Sequence, residues 1–232
     1  MIEILPSLLV ESKQEFERLL RLVEHDAPVI HIDILDGSMF GQTNWHDARA
    51  VGAMVTPAKY ELHLMTTNPL PIVEEWKREV PGVIRAIIHA EIERPIGTLL
   101  ETIKDVHKLE AGLALNPESP LDEEHELLHQ IHLLLLMSVH PGKSGQAFEG
   151  DYMLEKIRLA RNHVPNLPIE VDGGVTLALA PALVKAGATL LCAASAIFSA
   201  PDPAAALRAL REIATSVDEK GTPPAGGQAS SQ

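Results

Sequence analysis

Short apolar segments alternate with amphipathic segments along the whole chain. The apolar segments predict strands near residues 2–5, 29–34, 59–64, 83–88, 110–115, 131–138, 168–172 and 189–193. The amphipathic segments predict helices near residues 12–25, 46–55, 70–79, 96–108, 121–129, 151–163, 176–186 and 203–215. Strands that alternate with helices in this way are typical of βα units around a parallel sheet.

Eight βα units within 232 residues favour a sheet that closes on itself. We predict an α/β fold with a single (β/α)8 TIM barrel over residues 1–216, whose active site lies at the carboxyl ends of the strands. Residues 217–232 end in a run rich in Gly, Pro, Ser and Gln that cannot bury apolar area, so they predict a short disordered C-terminal tail. A doubly wound open sheet is the alternative architecture, and the regularity of the units favours the barrel.

Two helix ends carry cap signals. Ser12 precedes a segment in which Phe16 and Leu20 recur at helical spacing, which predicts an N-cap. Thr176 opens the segment that Gly187 ends, and glycine at that place favours the left-handed C-cap conformation. These signals support the assignment of both segments as helices.

Three of the predicted strands carry a pair of polar residues on one face. Side chains alternate between the faces of a strand, so residues i and i+2 project together. In a barrel the outward face packs against helices and must be apolar, so the polar face points inward. The pairs are His31 with Asp33, Glu61 with His63, and Glu170 with Asp172. They predict that two histidines and at least two carboxylates converge in a metal site, an acid/base site or both.

Imidazole nitrogen and carboxylate oxygen together suit Zn, Fe(II), Mn or Co better than Mg or Ca. We expect His31, Asp33, His63 and Asp172 at the strand ends, where they could hold one divalent cation. The alternative is that each is an interior polar residue whose hydrogen bonds are satisfied within the protein. Four such residues at the rim of one barrel favour the metal site, because buried charges need partners.

Two short motifs follow the last two predicted strands and suggest a phosphate site. Gly173 and Gly174 let the backbone approach a ligand closely and offer N–H groups to an anion. Ser195 precedes a predicted short helix, whose N-terminus favours phosphate. An ordinary tight turn and an ordinary N-cap are the alternatives, but loops after strands 7 and 8 recurrently bind phosphate in barrels.

Other strand ends predict the walls and cover of a pocket. Residues 138–146 form a Gly-bearing loop after the sixth strand, and such a loop can close over a site to exclude water. Met65 and Met137 lie where soft apolar side chains can wall a substrate pocket. A mobile surface loop and ordinary core packing are the alternative interpretations.

The chain is acidic, with a net charge of −13 and a pI of about 5.2. This charge argues against nucleic acid or an anionic membrane as the main partner, whereas backbone N–H groups can still bind a phosphorylated substrate. Cys192 is the only cysteine, so no intramolecular disulfide forms and a reducing compartment is expected. Residues 1–6 are unlike a signal peptide, and the apolar run at 133–137 is too short to span a bilayer. We expect a cytoplasmic protein.

A series of short motifs follows in order along residues 2–214. Through these motifs the chain resembles the ribulose-phosphate 3-epimerase family, and the ordered series is far more specific than any single motif. The motifs are Pro6-Ser7-Leu8-Leu9, His31-Ile32-Asp33-Ile34-Leu35-Asp36-Gly37, His63-Leu64-Met65, Met137-Ser138-Val139 with Pro141-Gly142, Gly145-Gln146 with Phe148, and Val171-Asp172-Gly173-Gly174.

The resemblance implies a barrel that interconverts D-ribulose 5-phosphate and D-xylulose 5-phosphate through a metal-stabilised enediolate. By position, His31, Asp33, His63 and Asp172 match the ligands of one divalent metal ion. Asp33 and Asp172 also match the two carboxylates that remove and return a proton beside the ketone. The positions expected at the substrate are Ser7, His63, Met65, Met137, Gly142, Gly145, Gly173, Gly174, Ala194 and Ser195.

The expected partner is therefore a small phosphorylated ketose, and we expect the chain to form a homo-oligomer. The chain departs from the family pattern in residues 38–44, at Lys143-Ser144 and at single positions that include Ala194. We predict that Lys143 adds a contact between the loop and the phosphate. Because the departures leave the sugar open, a hexulose-6-phosphate (allulose 6-phosphate) 3-epimerase is an alternative, and a non-catalytic phosphometabolite-binding barrel is another.

Overall fold

The computed structural model of the chain describes residues 2–121, 126–142 and 145–221, with side chains up to residue 217. Eight parallel strands close into a barrel in chain order, and β8 pairs with β1. The predicted (β/α)8 TIM barrel is therefore confirmed. The strands are β1 (Glu3–Leu8), β2 (Val29–Leu35), β3 (Lys59–Met65), β4 (Val83–His89), β5 (Glu110–Leu115), β6 (Leu133–Met137), β7 (Ile169–Asp172) and β8 (Leu190–Ala193).

Helices connect the strands and cover the outside of the barrel. Among the described residues, no helix has both the length and the apolarity that a bilayer crossing requires. A π-helical turn (Thr102–Val106) continues the fourth helix, and a 3-10 turn (Leu127–His129) precedes β6. The α-helices are α1 (Lys13–Val23), α2 (Ala48–Gly52), α3 (Pro69–Glu79), α4 (Ile96–Glu101), α5 (Asp151–His163), α6 (Ala180–Ala186), α7 (Ser195–Phe198) and α8 (Pro203–Gly221).

Several helices differ from their predicted bounds. Helix α2 covers Ala48–Gly52 rather than 46–55, and α6 begins at Ala180 rather than at Thr176. The helix predicted at 121–129 is wrong in its described part, where the 3-10 turn buries only Leu128, too little apolar area to stabilise an amphipathic helix; residues 122–125 lie outside the described residues. Helix α8 continues to Gly221, six residues beyond its predicted end at 215. Residues 222–232 of the predicted tail also lie outside the described residues.

Both predicted helix caps are confirmed. The hydroxyl of Ser12 accepts a hydrogen bond from the Glu15 N–H over 3.2 Å at the start of α1. Gly187 ends α6 in the left-handed conformation, with φ of +116°. A Cβ at Gly187 would also lie 2.7 Å from the Arg161 Cβ, so both the backbone conformation and the packing against α5 require glycine.

The strands bury two separate apolar cores. Their outward faces, such as Ile30, Ile32 and Ile34 of β2, pack beneath the helices in one continuous cluster. Inward-facing side chains, among them Leu5 and Leu135, form a second cluster inside the barrel. Each fully buried Leu or Ile contributes about 1.5–3 kcal/mol relative to an exposed one. Burial on both faces accounts for the apolar character of the strands.

The barrel interior is apolar on one side and polar on the other. Strands β5 and β6 supply apolar residues such as Ala114 and Leu133, whereas β2, β3 and β7 supply the polar pairs. Strand β4 contributes Ile87 between the polar Arg85 and His89. Gly112 of β5 faces Ile87, and a Cβ there would lie 2.8 Å from the Ile87 Cγ1. The absence of that side chain lets the apolar side pack tightly, so the polar side chains share a defined region of the interior.

Candidate metal and acid/base site

The polar strand pairs meet inside the barrel. Strand register pairs Asp33 of β2 with His63 of β3, and Asp172 reaches the same region from the end of β7. One ligand atom from each of His31, Asp33, His63 and Asp172 lies within 4.8 Å of those of the other three. The structure therefore brings the four residues expected to bind metal into one cluster, which we call the upper cluster.

Asp33 is the centre of the upper cluster. Its Oδ1 lies 2.9 Å from the His63 Nδ1 and 3.3 Å from the His31 Nε2. Its Oδ2 accepts a hydrogen bond of 2.9 Å from the Ser7 hydroxyl. The Asp172 Oδ2 lies 3.7 Å from the same His63 nitrogen. Both histidines are fully buried, while 8% of the Asp33 side chain and 13% of the Asp172 side chain are exposed, so only the carboxylates reach the open space above.

His31 lies in the middle of β2, one layer deeper than the strand end at which it was expected. Its Nδ1 lies 2.7 Å from the Glu61 Oε1, 3.0 Å from the Glu170 Oε1 and 3.2 Å from the Cys192 Sγ. We call Glu61, Glu170, Cys192 and the adjacent Arg85 the lower cluster. His31 thus presents one ring nitrogen to each cluster.

The lower cluster contains its own counter-charge. The Arg85 guanidinium donates to the Glu61 Oε2 over 2.5 Å and to the Glu110 carboxylate over 2.6 Å. Burial alone would raise the pKa of Glu61, but the contacts with His31 and Arg85 lower it to about 2. Burial and the charge of Glu61 raise the pKa of Glu170 to about 7. Although His31, Glu61, Glu170 and Cys192 also lie within 4.8 Å of one another, the Arg85 guanidinium already supplies a positive charge to this group.

The upper cluster has no such arginine and leaves a buried nitrogen without a partner. Within the described part of the chain, the His31 Nε2 has no hydrogen-bond partner, because its 3.3 Å contact with Asp33 lacks hydrogen-bond geometry. A carboxylate behind a histidine ligand, as Glu61 is here, commonly fixes the ring with its other nitrogen toward the metal. Two imidazole nitrogens and two carboxylates are a suitable donor set for Zn, Fe(II), Mn or Co. The upper cluster therefore fits one divalent cation.

The two carboxyl groups of the upper cluster differ in proton affinity. Burial alone would raise the pKa of Asp33, but the hydrogen bond with His63 and the close contact with the His31 imidazole hold it well below its ordinary value. Burial and the charge of Asp33 raise the pKa of Asp172 to about 6. Carboxyl groups whose surroundings separate their pKa values in this way can serve as base and acid.

His89, at the end of β4, contacts the upper cluster, and Glu91 contacts His89; neither was singled out from the sequence. The His63 Nε2 lies 2.8 Å from the Nε2 of His89, and the His89 Nδ1 lies 3.0 Å from the Glu91 Oε2. His89-Ala90-Glu91 has the same i, i+2 polar spacing as the three pairs that were recognised. Applying that spacing rule to the end of β4 would have found them.

A cavity opens at the carboxyl ends of the strands, with Asp33 and Asp172 in its lining. His63, which was expected at the substrate, is fully buried and is not part of this lining. The sequence analysis missed six lining residues: Leu9, Val139, Pro141, Gln146, Val175 and Cys192. The other expected positions all line the cavity: Ser7, Met65, Met137, Gly142, Gly145, Gly173, Gly174, Ala194 and Ser195.

Gly173 and Gly174 turn the chain sharply after β7. Their φ angles are +110° and +61°. A Cβ at Gly173 would lie 2.4 Å from the Val139 Cγ2, and one at Gly174 would lie 2.4 Å from the Phe148 backbone nitrogen. Glycine is thus required at both positions by conformation and by the close approach of the loop after β6.

We expect Gly173→Ala to lower the free energy of unfolding by about 1–3 kcal/mol, because alanine meets both an unfavourable φ and the Val139 side chain. Gly150→Ala is the matched control, since Gly150 has φ of +97° but nothing within 4 Å of an added Cβ. Urea unfolding of both variants measures the difference. Equal losses of unfolding free energy in Gly173→Ala and Gly150→Ala would show that overlap with Val139 does not destabilise the protein.

The loop after β6 is tied to its neighbours by polar contacts. The Gln146 side chain donates to the His140 carbonyl over 2.6 Å. The His140 ring lies 3.1 Å from Glu118 and 3.4 Å from Glu149. Residues 143 and 144 lie outside the described residues, so the expected phosphate contact of Lys143 stays a prediction. The role of this loop as a lid likewise stays a prediction.

Comparison with known proteins identifies the family. A family model described as the ribulose-phosphate 3 epimerase family matches residues 3–198, which include all four residues of the upper cluster. The chain belongs to the ribulose-phosphate 3-epimerase family. The resemblance inferred from the ordered motifs is therefore confirmed, and family membership makes the chain an enzyme of the isomerase class.

Individual relatives agree with this assignment. The chain is 34% identical to the cytoplasmic isoform of ribulose-phosphate 3-epimerase from Oryza sativa, covering 83% of this chain and 85% of the rice protein. It is 31% identical to ribulose-phosphate 3-epimerase from Bacillus subtilis, covering 91% and 99%. Among solved structures, KGPDC from Streptococcus mutans superposes with a TM-score of 0.72 at 14% identity, covering 94% of this chain and 99% of that one. The last similarity supports the barrel fold alone.

Proposed function

We propose that the chain interconverts D-ribulose 5-phosphate and D-xylulose 5-phosphate by moving a proton between the two faces of the carbon beside the ketone. The observation that carries this proposal is the pair Asp33 and Asp172, a buried and a half-buried carboxyl group of unequal proton affinity in the lining of one cavity. The names of the relatives from Oryza sativa and Bacillus subtilis support the choice of substrate.

Asp33 and Asp172 would exchange roles with the direction of the reaction. Asp33, held ionised by its contacts with the two histidines, is suited to remove the proton. Asp172, whose pKa is raised to about 6, is suited to deliver a proton to the opposite face. The reverse reaction begins with the proton on Asp33 and the charge on Asp172. Inversion of a carbon beside a ketone needs such a pair of groups.

His31, Asp33, His63 and Asp172 would together hold one divalent cation. When bound, such a cation stabilises the negative charge that the ketone and hydroxyl oxygens acquire as the proton leaves. The chain itself contributes the orientation of the ligands. Glu61 fixes the His31 ring from behind, and the Ser7 hydroxyl fixes one oxygen of Asp33.

The rest of the cavity would bind the remainder of the sugar phosphate. Met65, Met137 and Val139 are nearly fully buried and supply apolar walls that exclude water from the reacting carbon. Gly173 and Gly174 line the same cavity as Ser195, and glycine backbone at such a turn can approach a phosphate closely. These residues would form a phosphate-binding wall beside the acid/base pair.

The decisive experiment is solvent deuterium exchange with a panel of ketopentose and ketohexose phosphates. We expect the purified chain to exchange the carbon-bound proton beside the ketone of D-ribulose 5-phosphate and to form D-xylulose 5-phosphate. Faster exchange with a ketohexose phosphate, such as allulose 6-phosphate, would reassign the substrate. No exchange with any ketose phosphate, in protein loaded with a divalent metal, would refute the epimerase proposal in favour of a binding protein.

A further inference from the structure

The His63 ring is held by a chain of buried groups on the side away from Asp33. Its Nε2 lies 2.8 Å from the His89 Nε2, and the two rings differ in tilt by only 20°. The His89 Nδ1 lies 3.0 Å from the Glu91 Oε2. Both histidines are fully buried, and Phe40 packs edge-on against His89. Water therefore does not supply the partners of these ring nitrogens.

The acceptor at the end of this series of hydrogen bonds is the Glu91 carboxylate. Glu91 is ionised: burial alone would raise its pKa, but hydrogen bonds from His89, Ser119 and the Asn116 N–H lower it to about 2. An ionised carboxylate only accepts, so the His89 Nδ1 carries a proton and donates it to Glu91. When the His63 Nδ1 faces a metal ion, its Nε2 carries the ring proton, and the His89 Nε2 lies 2.8 Å away, where it can accept that hydrogen bond.

In the metal-free protein the His63 Nδ1 can donate to the Asp33 carboxylate, and a bound cation takes the place of that proton. That nitrogen faces the Asp33 Oδ1 at 2.9 Å and the Asp172 Oδ2 at 3.7 Å. A lone pair that points at two carboxylates gains nothing from them directly, whereas a cation among the three groups is attracted by all of them. The His89–Glu91 pair thus supplies the acceptor that the metal-binding tautomer of His63 needs.

The Glu91 carboxylate is itself held in place by the loop after β5 and by α5. The Glu91 Oε1 accepts hydrogen bonds from the Asn116 N–H, over 2.7 Å, and from the Ser119 hydroxyl. The Lys156 ammonium of α5 donates to the carbonyl groups of Asn116 at 2.6 Å and Ser119 at 2.7 Å. The loop after β5 is therefore pinned in place, and Glu91 has little freedom to move.

We propose that His89 and Glu91 are positioning residues, which hold His63 in the tautomer that binds the divalent cation. The inference rests on the proposed function only for the cation site, and it is independent of which sugar phosphate is the substrate. Hydrogen-bond partners behind a metal ligand commonly contribute about 10- to 100-fold to metal affinity. Loss of the hydrogen bonds from His63 through His89 to Glu91 should therefore weaken cation binding by a factor in that range.

The test measures Co²⁺ binding to the chelator-stripped full chain by competition with a chromophoric chelator. We expect His89→Leu to weaken Co²⁺ binding by about 10- to 100-fold, because the His63 Nε2 loses its acceptor and the proton is free to occupy Nδ1. His89→Gln should recover most of the affinity, since its amide oxygen accepts the same hydrogen bond. Glu91→Gln should weaken binding, while Glu93→Gln, an exposed carboxylate two residues away, should leave it unchanged.

A second measurement reads the tautomer itself. In Zn²⁺-loaded wild type, long-range ¹H–¹⁵N NMR should show the His63 Nε2 protonated and its Nδ1 ligated. Ligation of Zn²⁺ through the His63 Nε2 would overturn the role of His89 and Glu91. So would His89→Leu and Glu91→Gln variants that bind Co²⁺ as tightly as wild type. Neither outcome would affect the cation site itself. A wild type that binds no Co²⁺ would overturn the cation site and this inference with it. Thermal unfolding of each variant separates loss of affinity from loss of fold.

Discussion

Asp172→Asn is expected to reduce turnover of D-ribulose 5-phosphate by at least about 10³-fold while leaving the barrel folded. A positioned general acid or base contributes about 10²–10⁴-fold, and asparagine at this position can neither deliver nor accept the transferred proton. The change also removes one of the four anticipated metal ligands. A coupled assay for D-xylulose 5-phosphate gives the rate, and thermal unfolding reports the fold.

The matched control is Asp105→Asn, which makes the same chemical change on the exposed surface of the π-helical turn. It should keep wild-type turnover. The melting temperature of Asp172→Asn should not fall much, because burial and the charge of Asp33 make the ionised Asp172 carboxylate unfavourable in the fold. Wild-type turnover by Asp172→Asn would contradict the assignment of this pair as acid and base.

Removal of the divalent metal is expected to lower turnover by at least about 10²-fold, and readdition is expected to restore it. Stabilisation of the developing negative charge by a metal contributes several kcal/mol, and each 1.4 kcal/mol corresponds to about a factor of ten in rate. Dialysis against a chelator followed by titration with Zn²⁺, Mn²⁺ or Co²⁺ measures the effect. Elemental analysis should give one ion per chain. Full activity in verified metal-free protein would refute the requirement.

Protons should compete with that metal as the pH falls. Burial alone would lower the pKa of His31, but its contacts with Cys192, Asp33 and Glu170 raise it well above the ordinary value. Asp172 has a pKa raised to about 6, so the folded metal-free protein holds its proton more tightly than the unfolded chain does. Ionising Asp172 therefore costs the metal-free fold stability as the pH rises toward about 6, and a bound cation removes that cost.

The gain in melting temperature on metal addition should accordingly be larger at about pH 7 than at about pH 5. Differential scanning calorimetry of metal-free and metal-loaded protein at both pH values measures the gain. Asp172→Asn is the internal comparison, because it removes the titrating carboxyl and should flatten this part of the pH dependence. A gain that shrinks with rising pH would contradict the competition.

The barrel was predictable because its strands carry a local and repetitive signal. Every second residue of β2, at Ile30, Ile32 and Ile34, is apolar and packs beneath the helices. The same rule misplaced the end of β1, which was predicted to stop at residue 5 but continues to Leu8. Pro6 has no N–H and argues against a central strand, yet β1 pairs with β8 through this position. Tertiary pairing overrode the local preference.

The contacts between site residues depend on the depth of each side chain, which spacing along one strand does not show. The pairing of His31 with Glu61 and Glu170 beneath the upper cluster required the stagger of neighbouring strands. In the sequence, Arg85 is the one charged residue of the strand predicted at 83–88, and nothing there indicates its partner. The structure shows that it pairs with Glu61. The alternation rule thus selects which face a residue occupies, and only the closed barrel determines which partner it meets.

Cys192 is 2% exposed inside the barrel, and burial raises the pKa of its thiol well above the ordinary value. Because alkylation requires a thiolate, maleimide reagents should leave the folded chain unmodified. A cysteine introduced on the outer surface of a helix would then be a unique attachment point for a fluorophore or spin label. The native chain can therefore be labelled at one chosen position without first replacing its own cysteine.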